Sequence, residues 1–246
     1  LAKTLTAKLL ARCVHTGFSR IQFTPDLMPS DLIGTSVFDP RTTAFEFRPG
    51  PVFSNIVLVD EINRAPAKTQ SALFEVMEER QITTDGKTYP MSRPFMIVAT
   101  QNPIEQEGTY RLPEAQLDRF FFKLTVGYPS LEEEISILDR ASQGRHLLSV
   151  NAVQAVITVE ELERSRSIVH QVICDAKLVR YIASIVDRTR HDGALMLGAS
   201  PRASLAILTG SKAHAAINGR DFVTPEDVQA IAPHVLRHRV QLTPER

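Results

Sequence analysis

The stretch IVLVDEINRA, residues 56–65, decides the fold class. Its first four residues are β-branched or leucine, and an apolar run of this length is typical of a strand buried on both faces. Two carboxylates, Asp60 and Glu61, come directly after the run. A carboxylate at the end of a buried strand is costly to desolvate unless a nearby group compensates its charge. The stretch therefore predicts a parallel sheet with a compensated acidic site at its edge.

Other strands and helices alternate with this strand in the first half of the chain. FSRIQFT (18–24) alternates apolar and polar residues, whereas PFMIVAT (94–100) and FFFKLTV (120–126) read as further apolar, buried strands. PAKTQSALFEVMEERQ (66–81) has the spacing of an amphipathic helix. Hairpins are predicted from Ser36 to Phe47 and around Asp85-Gly86. This alternation predicts an α/β domain on a parallel sheet.

From about Ser130 the pattern becomes helical. Helix starts are predicted where a capping hydroxyl precedes a glutamate or a proline, at Thr158–Glu161, Ser200-Pro201 and Thr224-Pro225. We therefore predict an α/β domain over residues 1–142 and a small all-helical domain over 143–246, with the linker at 143–157.

Composition excludes several classes of protein. The 28 basic residues balance 28 acidic ones, which argues against binding to nucleic acid or anionic lipid through bulk charge. Two distant cysteines form no metal-binding pattern, and no apolar run approaches the length of about 20 residues that a membrane span needs. A protein of the reducing cytoplasm, not inserted in a membrane, is the expectation.

The pair Asp60–Glu61 is the pattern of a Walker B element. In such an element, Asp60 would hold Mg²⁺, directly or through water, and Glu61 would polarise the water that attacks a γ-phosphate. The alternative is that both carboxylates cap the next helix or pair with surface arginines. The pattern needs partners elsewhere in the chain to decide between these interpretations.

Four candidate partners follow in order along the chain. Lys3 and Thr4 match the end of a phosphate-binding loop, in which lysine contacts phosphates and threonine binds Mg²⁺. Asn102 follows a predicted strand and could orient a water, or could simply form a turn before Pro103. Arg119 is either a surface charge or an arginine finger that reaches a neighbouring subunit's nucleotide.

The fourth partner, Arg202, follows Ser200-Pro201 and so falls in the first turn of a predicted helix. A cation there opposes the helix dipole at a cost of about 0.3–1 kcal/mol. An anion between Arg202 and the helix terminus would convert this penalty into attraction, although a solvated arginine could also tolerate it.

The order AKT, LVDEINRA, ATQNP, LPEAQLDRF and GASPRA resembles the MoxR family of AAA+ ATPases across essentially the whole chain. The resemblance implies an α/β P-loop ATPase core on a parallel sheet, followed by a small helical lid, with the nucleotide between them. It makes Lys3 and Thr4 the end of Walker A, Asp60 and Glu61 Walker B, and Asn102 sensor 1. Arg119 corresponds to the arginine finger and Arg202 to sensor 2.

The resemblance also implies cofactors and partners. ATP and Mg²⁺ are expected, held by Lys3, Thr4, Asp60 and Arg202, in a homo-oligomeric ring that is usually a hexamer. Partners with von Willebrand factor A domains, and a chaperone-like role in maturing metal- or cofactor-containing enzymes, are implied too. Family members carry a glycine-rich loop before Lys-Thr, so we expect further residues upstream of Leu1.

Two alternatives belong to other functional classes. The first is an AAA+ nucleic-acid motor or loader, against which the zero net charge counts. The second is a scaffold that binds partners without hydrolysis. The missing glycines favour it, whereas the joint presence of Glu61, Asn102, Arg119 and Arg202 counts against it.

Overall fold

The computed structural model describes residues 2–101, 110, 112–143 and 153–244. By its contacts the chain divides into two compact units. Unit 1 comprises Leu1–Leu112 and Leu148–Glu163, and unit 2 comprises Pro113–Leu147 and Arg164–Arg246. Within the described ranges, no helix is both long and apolar enough to cross a membrane. The sequence-based division between residues 142 and 143 stays a prediction.

Unit 1 is built on strands and the helices that connect them. Its elements, in chain order, are α1 (Ala2–Cys13), β1 (Phe18–Gln22), α2 (Pro29–Ile33), β2 (Gly34–Asp39), β3 (Ala44–Pro49), β4 (Ile56–Asp60), α3 (Ala67–Glu79), β5 (Gln81–Thr84), β6 (Lys87–Pro90) and β7 (Met96–Ala99). The mixture of parallel strands and helices confirms the predicted α/β class.

The central sheet of unit 1 is parallel, with strand order β1-β4-β7. All five residues of β4 are buried, which confirms the prediction made from the apolar run. No residue of β7 is fully buried, so the prediction that this strand is buried on both faces is wrong. In the described part of the chain β7 pairs only with β4, and a strand with one neighbour is shielded on one side only.

The two predicted hairpins are both present in unit 1. β2 pairs with β3, and β5 pairs with β6 across Asp85-Gly86. Gly34 opens the first hairpin at φ 103°, and a Cβ there would lie 2.2 Å from the carbonyl oxygen of Arg48. Only glycine fits a position with both a positive φ and so close a backbone neighbour.

Side-chain contacts join the two hairpins to each other. The hydroxyl of Ser36 donates a hydrogen bond to the Asp85 carboxylate. The rings of Phe47 and Tyr89 lie 4.5 Å apart between centroids, which is within the range of favourable aromatic pairs. The hairpins therefore form one surface feature rather than two.

Unit 2 is mainly helical. The elements of the second part of the chain are α4 (Glu114–Leu117), α5 (Leu131–Ser142), α6 (Val159–Gln171), α7 (Ala176–His191), β8 (Leu195–Leu197), α8 (Pro201–Ile217), α9 (Pro225–Leu236) and β9 (Gln241–Leu242). Helix α6 begins among the residues of unit 1. Strands β8 and β9 form a short antiparallel pair that the sequence did not predict.

The core of unit 2 lies between α7, α8 and α9, and the predicted starts of α8 and α9 are confirmed. Buried side chains from all three helices meet there, including Ile182, Val186, Ile207, Val228 and Val235. Helices α8 and α9 start at the prolines that the sequence indicates. Upstream, Thr158 and Glu161 form the predicted reciprocal capping box at the start of α6.

The strand predicted at residues 120–126 is absent, and that prediction is wrong. The backbone there bonds to residues 234–239 of the same unit instead of to a strand. The Phe120 carbonyl accepts hydrogen bonds from Arg239 (2.6 Å) and His238 (2.9 Å), and the Lys123 N–H donates to the His234 carbonyl (3.0 Å). Because these groups already have partners, the apolar sequence does not need a sheet ladder.

Candidate functional site

Asp60 is the last residue of β4, and its charge is compensated by a neighbour on the adjacent strand. The residue is only 8% exposed. Nε of Arg20, on β1, lies 2.6 Å from Oδ2 of Asp60, and the Thr100 hydroxyl donates to Oδ1 at 3.1 Å. Both carboxylate oxygens are therefore satisfied, which is what a nearly buried carboxylate requires.

Glu61 turns the chain sharply at the edge of the sheet. Its backbone is left-handed, with φ 57° and ψ 52°, a conformation that costs a residue with a side chain about 1–2 kcal/mol. The Glu61 N–H donates to Thr100 Oγ1 at 3.0 Å. Its carboxylate accepts from Gln22 Nε2 at 2.9 Å and pairs with Arg64 Nε at 3.0 Å. Gln22 also accepts a hydrogen bond from Arg20 at 3.3 Å, so the partners of Glu61 and those of Asp60 belong to one network.

Three residues of this edge were missed from the sequence: Arg20, Gln22 and Thr100. Thr100 follows β7 and bonds both to the Asp60 side chain and to the Glu61 backbone. Arg20 and Gln22 are two residues apart on β1, so they lie on the same face of that strand. The polar positions of FSRIQFT indicated that Arg20 and Gln22 share one face of a strand. Their closeness to Asp60 and Glu61 follows only from the parallel pairing of β1 with β4.

The residues predicted to contact phosphate open α1. Lys3 is exposed and Thr4 is partly buried, both in the first turn of this helix. Helix α1 is joined to β1 by residues 14–17, and the contact of Lys3 and Thr4 with phosphate stays a prediction. Asn102 lies outside the described residues.

The two predicted cations of unit 2, Arg119 and Arg202, lie on segments that a hydrogen bond joins. Arg119 follows α4, and its N–H donates to the Gln116 carbonyl at 3.2 Å. Arg202 is the second residue of α8, and its N–H donates to Oγ of the capping Ser200 at 3.1 Å. The Ser200 hydroxyl in turn donates to Oδ2 of Asp118 at 2.7 Å. Arg119 and Arg202 are thus linked through only two intervening side chains.

The donors at the end of β4 fit a magnesium ion. Carboxylate and hydroxyl oxygens are hard ligands, and Mg²⁺ in proteins is commonly held by one or two carboxylates together with substrate phosphates. Within the described residues, no group of three or more His, Cys, Asp or Glu side chains could hold a metal. The chemistry of Asp60 and Thr100 therefore suits an ion held largely by a phosphate ligand, not an all-protein metal cage.

Family models match both parts of the chain. A model of the ATPase family associated with various cellular activities (AAA) matches residues 1–122, and a model of the AAA lid domain matches residues 187–246. Together with the parallel sheet and the helical unit, these matches define the class as an AAA ATPase core with its lid.

Individual relatives narrow the class. The chain is 47% identical to YeaC of Bacillus subtilis, over 99% of this chain and 75% of YeaC. It is also 47% identical to Chaperone MoxR1 of Mycobacterium tuberculosis, over 98% of this chain and 65% of MoxR1. A crystal structure from Cytophaga hutchinsonii superposes with a TM-score of 0.89 at 42% identity, covering 100% of this chain and 76% of that one. The chain belongs to the MoxR family of AAA+ ATPases.

Proposed function

We propose that the protein binds and hydrolyses ATP with Mg²⁺ and uses the energy to remodel or assemble partner proteins. The observation that carries this proposal is the arrangement at the end of β4, where Asp60 and Glu61 are held in different environments by one threonine, Thr100. The relative named Chaperone MoxR1 supports the chaperone-like part of the proposal.

The two carboxylates take separate roles in this proposal. Asp60, nearly buried and bonded through both oxygens, orients the metal–nucleotide complex. Mg²⁺, when bound, neutralises charge on the phosphates. Glu61 is more exposed, with 31% of its side chain accessible, and it accepts a proton from the attacking water. Asn102 is assigned to orient that water.

The cations complete the proposed site. We assign Lys3 to the phosphates and Thr4 to the metal, because both lie in the first turn of α1, and the N–H groups and dipole of a helix N-terminus favour an anion. Arg202 contacts phosphate as well. Arg119 is proposed to act on the nucleotide of the next subunit in a homo-oligomeric ring, so that hydrolysis depends on assembly.

Exposed aromatic residues on the β2–β3 hairpin support contact with a client protein. Phe38 and Phe45 stand near the end of the β2–β3 hairpin, 5.4 Å apart between centroids, and Phe45 is 73% exposed. Exposed aromatic side chains commonly anchor protein partners. We propose that this hairpin contacts the client, for which a von Willebrand factor A domain protein is one candidate.

The test of hydrolysis is Glu61→Gln in the full-length protein. The variant is expected to bind ATP with wild-type affinity and to lose turnover by about 10²-fold or more, the usual contribution of a general base. Glu75→Gln is the matched control, because Glu75 is exposed on α3. Turnover of Glu61→Gln at the wild-type rate would remove Glu61 from its role.

The test of the ring uses complementation between two inactive variants. Arg119→Ala and Glu61→Gln are each expected to lose turnover alone. Mixed rings contain interfaces where an intact Glu61 meets an intact Arg119 of the neighbour, so mixing should restore part of the activity. If Arg119 acts within its own subunit, no mixture exceeds the sum of the separate variants.

A further inference from the structure

Asp118 connects the turn that carries Arg119 to the helix that carries Arg202. It directly precedes Arg119 in sequence. Its Oδ1 accepts from Arg239 Nε at 2.8 Å, and its Oδ2 accepts from the Ser200 hydroxyl at 2.7 Å. Ser200 caps α8, the helix whose second residue is Arg202. The Asp118 carboxylate therefore bonds to the N-cap of α8, the helix of Arg202. Asp118 itself belongs to the turn that contains Arg119.

Arg239 bonds to this turn through four of its five donors and to α9 through the fifth. Its side chain is 3% exposed, and a guanidinium has five N–H donors. Each of the five has an acceptor, namely Asp118 Oδ1 and the carbonyl oxygens of Asp118, Phe120, Phe121 and Val235, at 2.6–3.2 Å. The guanidinium is therefore fully satisfied by partners within unit 2.

The backbone on both sides of Arg119 is fixed by these bonds. Nη2 of Arg239 bonds to the carbonyl of Asp118 at 2.9 Å and to that of Phe120 at 2.6 Å. Neutral His238 donates to the same Phe120 carbonyl at 2.9 Å. Because the residues before and after Arg119 are both anchored, the direction in which its side chain leaves the chain is set by this network.

Arg202 lies close enough to influence the network electrostatically. Burial is the main cause that lowers the pKa of Arg239, and the positive charge of Arg202 lowers it further. The Asp118 carboxylate, next to Arg239, opposes both effects. The Asp118 carboxylate thus compensates the positive charges of Arg239 and Arg202.

We infer that Asp118 is a positioning residue that couples the orientation of Arg119 to that of Arg202. The coupling runs from the Arg119 turn through Asp118 Oδ2 to the Ser200 hydroxyl and into the first turn of α8. A shift of α8 is transmitted to Arg119, and a shift of Arg119 is transmitted to α8. The inference rests on the proposed function, because that function gives both cations their contact with nucleotide.

Ser200→Ala tests the coupling without altering any charged residue. It removes the hydrogen bond to Asp118 and also the N-cap of α8. Ser200→Thr keeps a hydroxyl at the same position and should rescue the effect. Ser130→Ala is the matched control, because Ser130 caps α5 in the same unit through its side-chain oxygen and has no bond to Asp118 in the described structure.

Steady-state ATP turnover of the full-length variants is the readout, with urea unfolding measured in parallel. We expect Ser200→Ala to lower kcat about tenfold and raise KM for ATP severalfold, because both cations lose their alignment. Ser200→Thr and Ser130→Ala should stay within about threefold of wild type in both constants, although Ser130→Ala loses comparable stability.

A double-mutant cycle of Arg119→Lys and Arg202→Lys, which keep both charges so that turnover stays measurable, isolates the coupling itself. In the wild-type background, the fold-change in kcat/KM of the double variant should differ about fivefold or more from the product of the two single fold-changes. In the Ser200→Ala background, the double variant should match that product. Equal coupling in the two backgrounds overturns the inference, as does a Ser200→Ala variant with wild-type kcat and KM. Absence of turnover in the wild-type protein overturns the proposed function together with this inference.

Discussion

Arg220 and Asp227 form a bidentate ion pair at the start of α9, with Nη1 2.7 Å from Oδ2 and Nη2 2.6 Å from Oδ1. His214 on α8 and the N–H of Thr224 bond to the same carboxylate at 2.6 and 2.8 Å. The hydrogen bonds from Arg220 are the main reason that the pKa of Asp227 is well below its ordinary value. This single buried anion therefore joins α8 and α9 at their ends.

Asp227→Ala is expected to lower the free energy of unfolding of unit 2 by about 1–3 kcal/mol, because it removes the buried acceptor that Arg220, His214 and Thr224 share. Urea unfolding followed by circular dichroism measures the change. Glu226→Ala, at the exposed neighbouring position, should have a much smaller effect on the free energy of unfolding. Similar losses in the two variants would show that the Asp227 network does not stabilise the unit.

His238 should make stability depend on pH. Burial is the main cause that lowers its pKa to about 4, from an ordinary value of 6.5. Between these values the unfolded chain binds more protons than the folded one, so the free energy of unfolding rises with pH. Its contribution is fully present above pH 6.5 and is lost as pH falls towards 4, by at most about 1.4 kcal/mol per pH unit.

His238→Gln isolates this contribution, because the amide of Gln can still donate to the Phe120 carbonyl but does not titrate. The difference in unfolding free energy between wild type and variant should be constant above pH 6.5 and shift in favour of the variant below it. Urea unfolding at pH 7.5, 6 and 5 measures this difference. Parallel curves over that range would contradict the prediction.

Arg20 should set how much Mg²⁺ the protein needs. Its guanidinium lies 2.6 Å from Asp60 Oδ2 and competes there with a second cation. Under the proposed function, Arg20→Met lowers the half-saturating Mg²⁺ concentration for ATP turnover about 3- to 10-fold, an effect of about 1 kcal/mol. In the absence of Mg²⁺ the variant should be less stable than the wild type, because the nearly buried Asp60 carboxylate loses its charged partner.

Arg41→Met is the control for Arg20, since Arg41 is 90% exposed at the end of a hairpin and pairs only with Asp39 in the described structure. It should leave the Mg²⁺ requirement of turnover unchanged. An unchanged or increased requirement in Arg20→Met would mean that Arg20 supports the site instead of competing with the metal.

Features with a local cause were predictable from the sequence. The apolar run before Asp60 indicated the buried β4, Asp85-Gly86 indicated a hairpin, and Ser200-Pro201 indicated the start of α8. In each case the residues that cause the structure lie within a few positions of it. The position of Asp60 and Glu61 at the end of β4 was predictable for the same reason, whereas their roles stay predictions.

Features that depend on distant residues were not predictable. The apolar run at 120–126 matches a strand locally, but its carbonyl groups are held by Arg239, more than a hundred residues later. The roles of Gln22 and Thr100 required the register of the parallel sheet, which no periodicity reveals. Both failures arise because long-range pairing overrides local preference.

The bond between Ser36 and Asp85 and the packing of Phe47 on Tyr89 have a consequence for how this protein can diverge. Changes of length within the paired strands of either hairpin, or in the Asp85-Gly86 turn, disturb both hairpins, so insertions should be confined to the loop between β2 and β3. Phe38 and Phe45 lie close to that loop and are exposed. Evolution can therefore exchange the tip to suit another partner while the double hairpin beneath it keeps its shape.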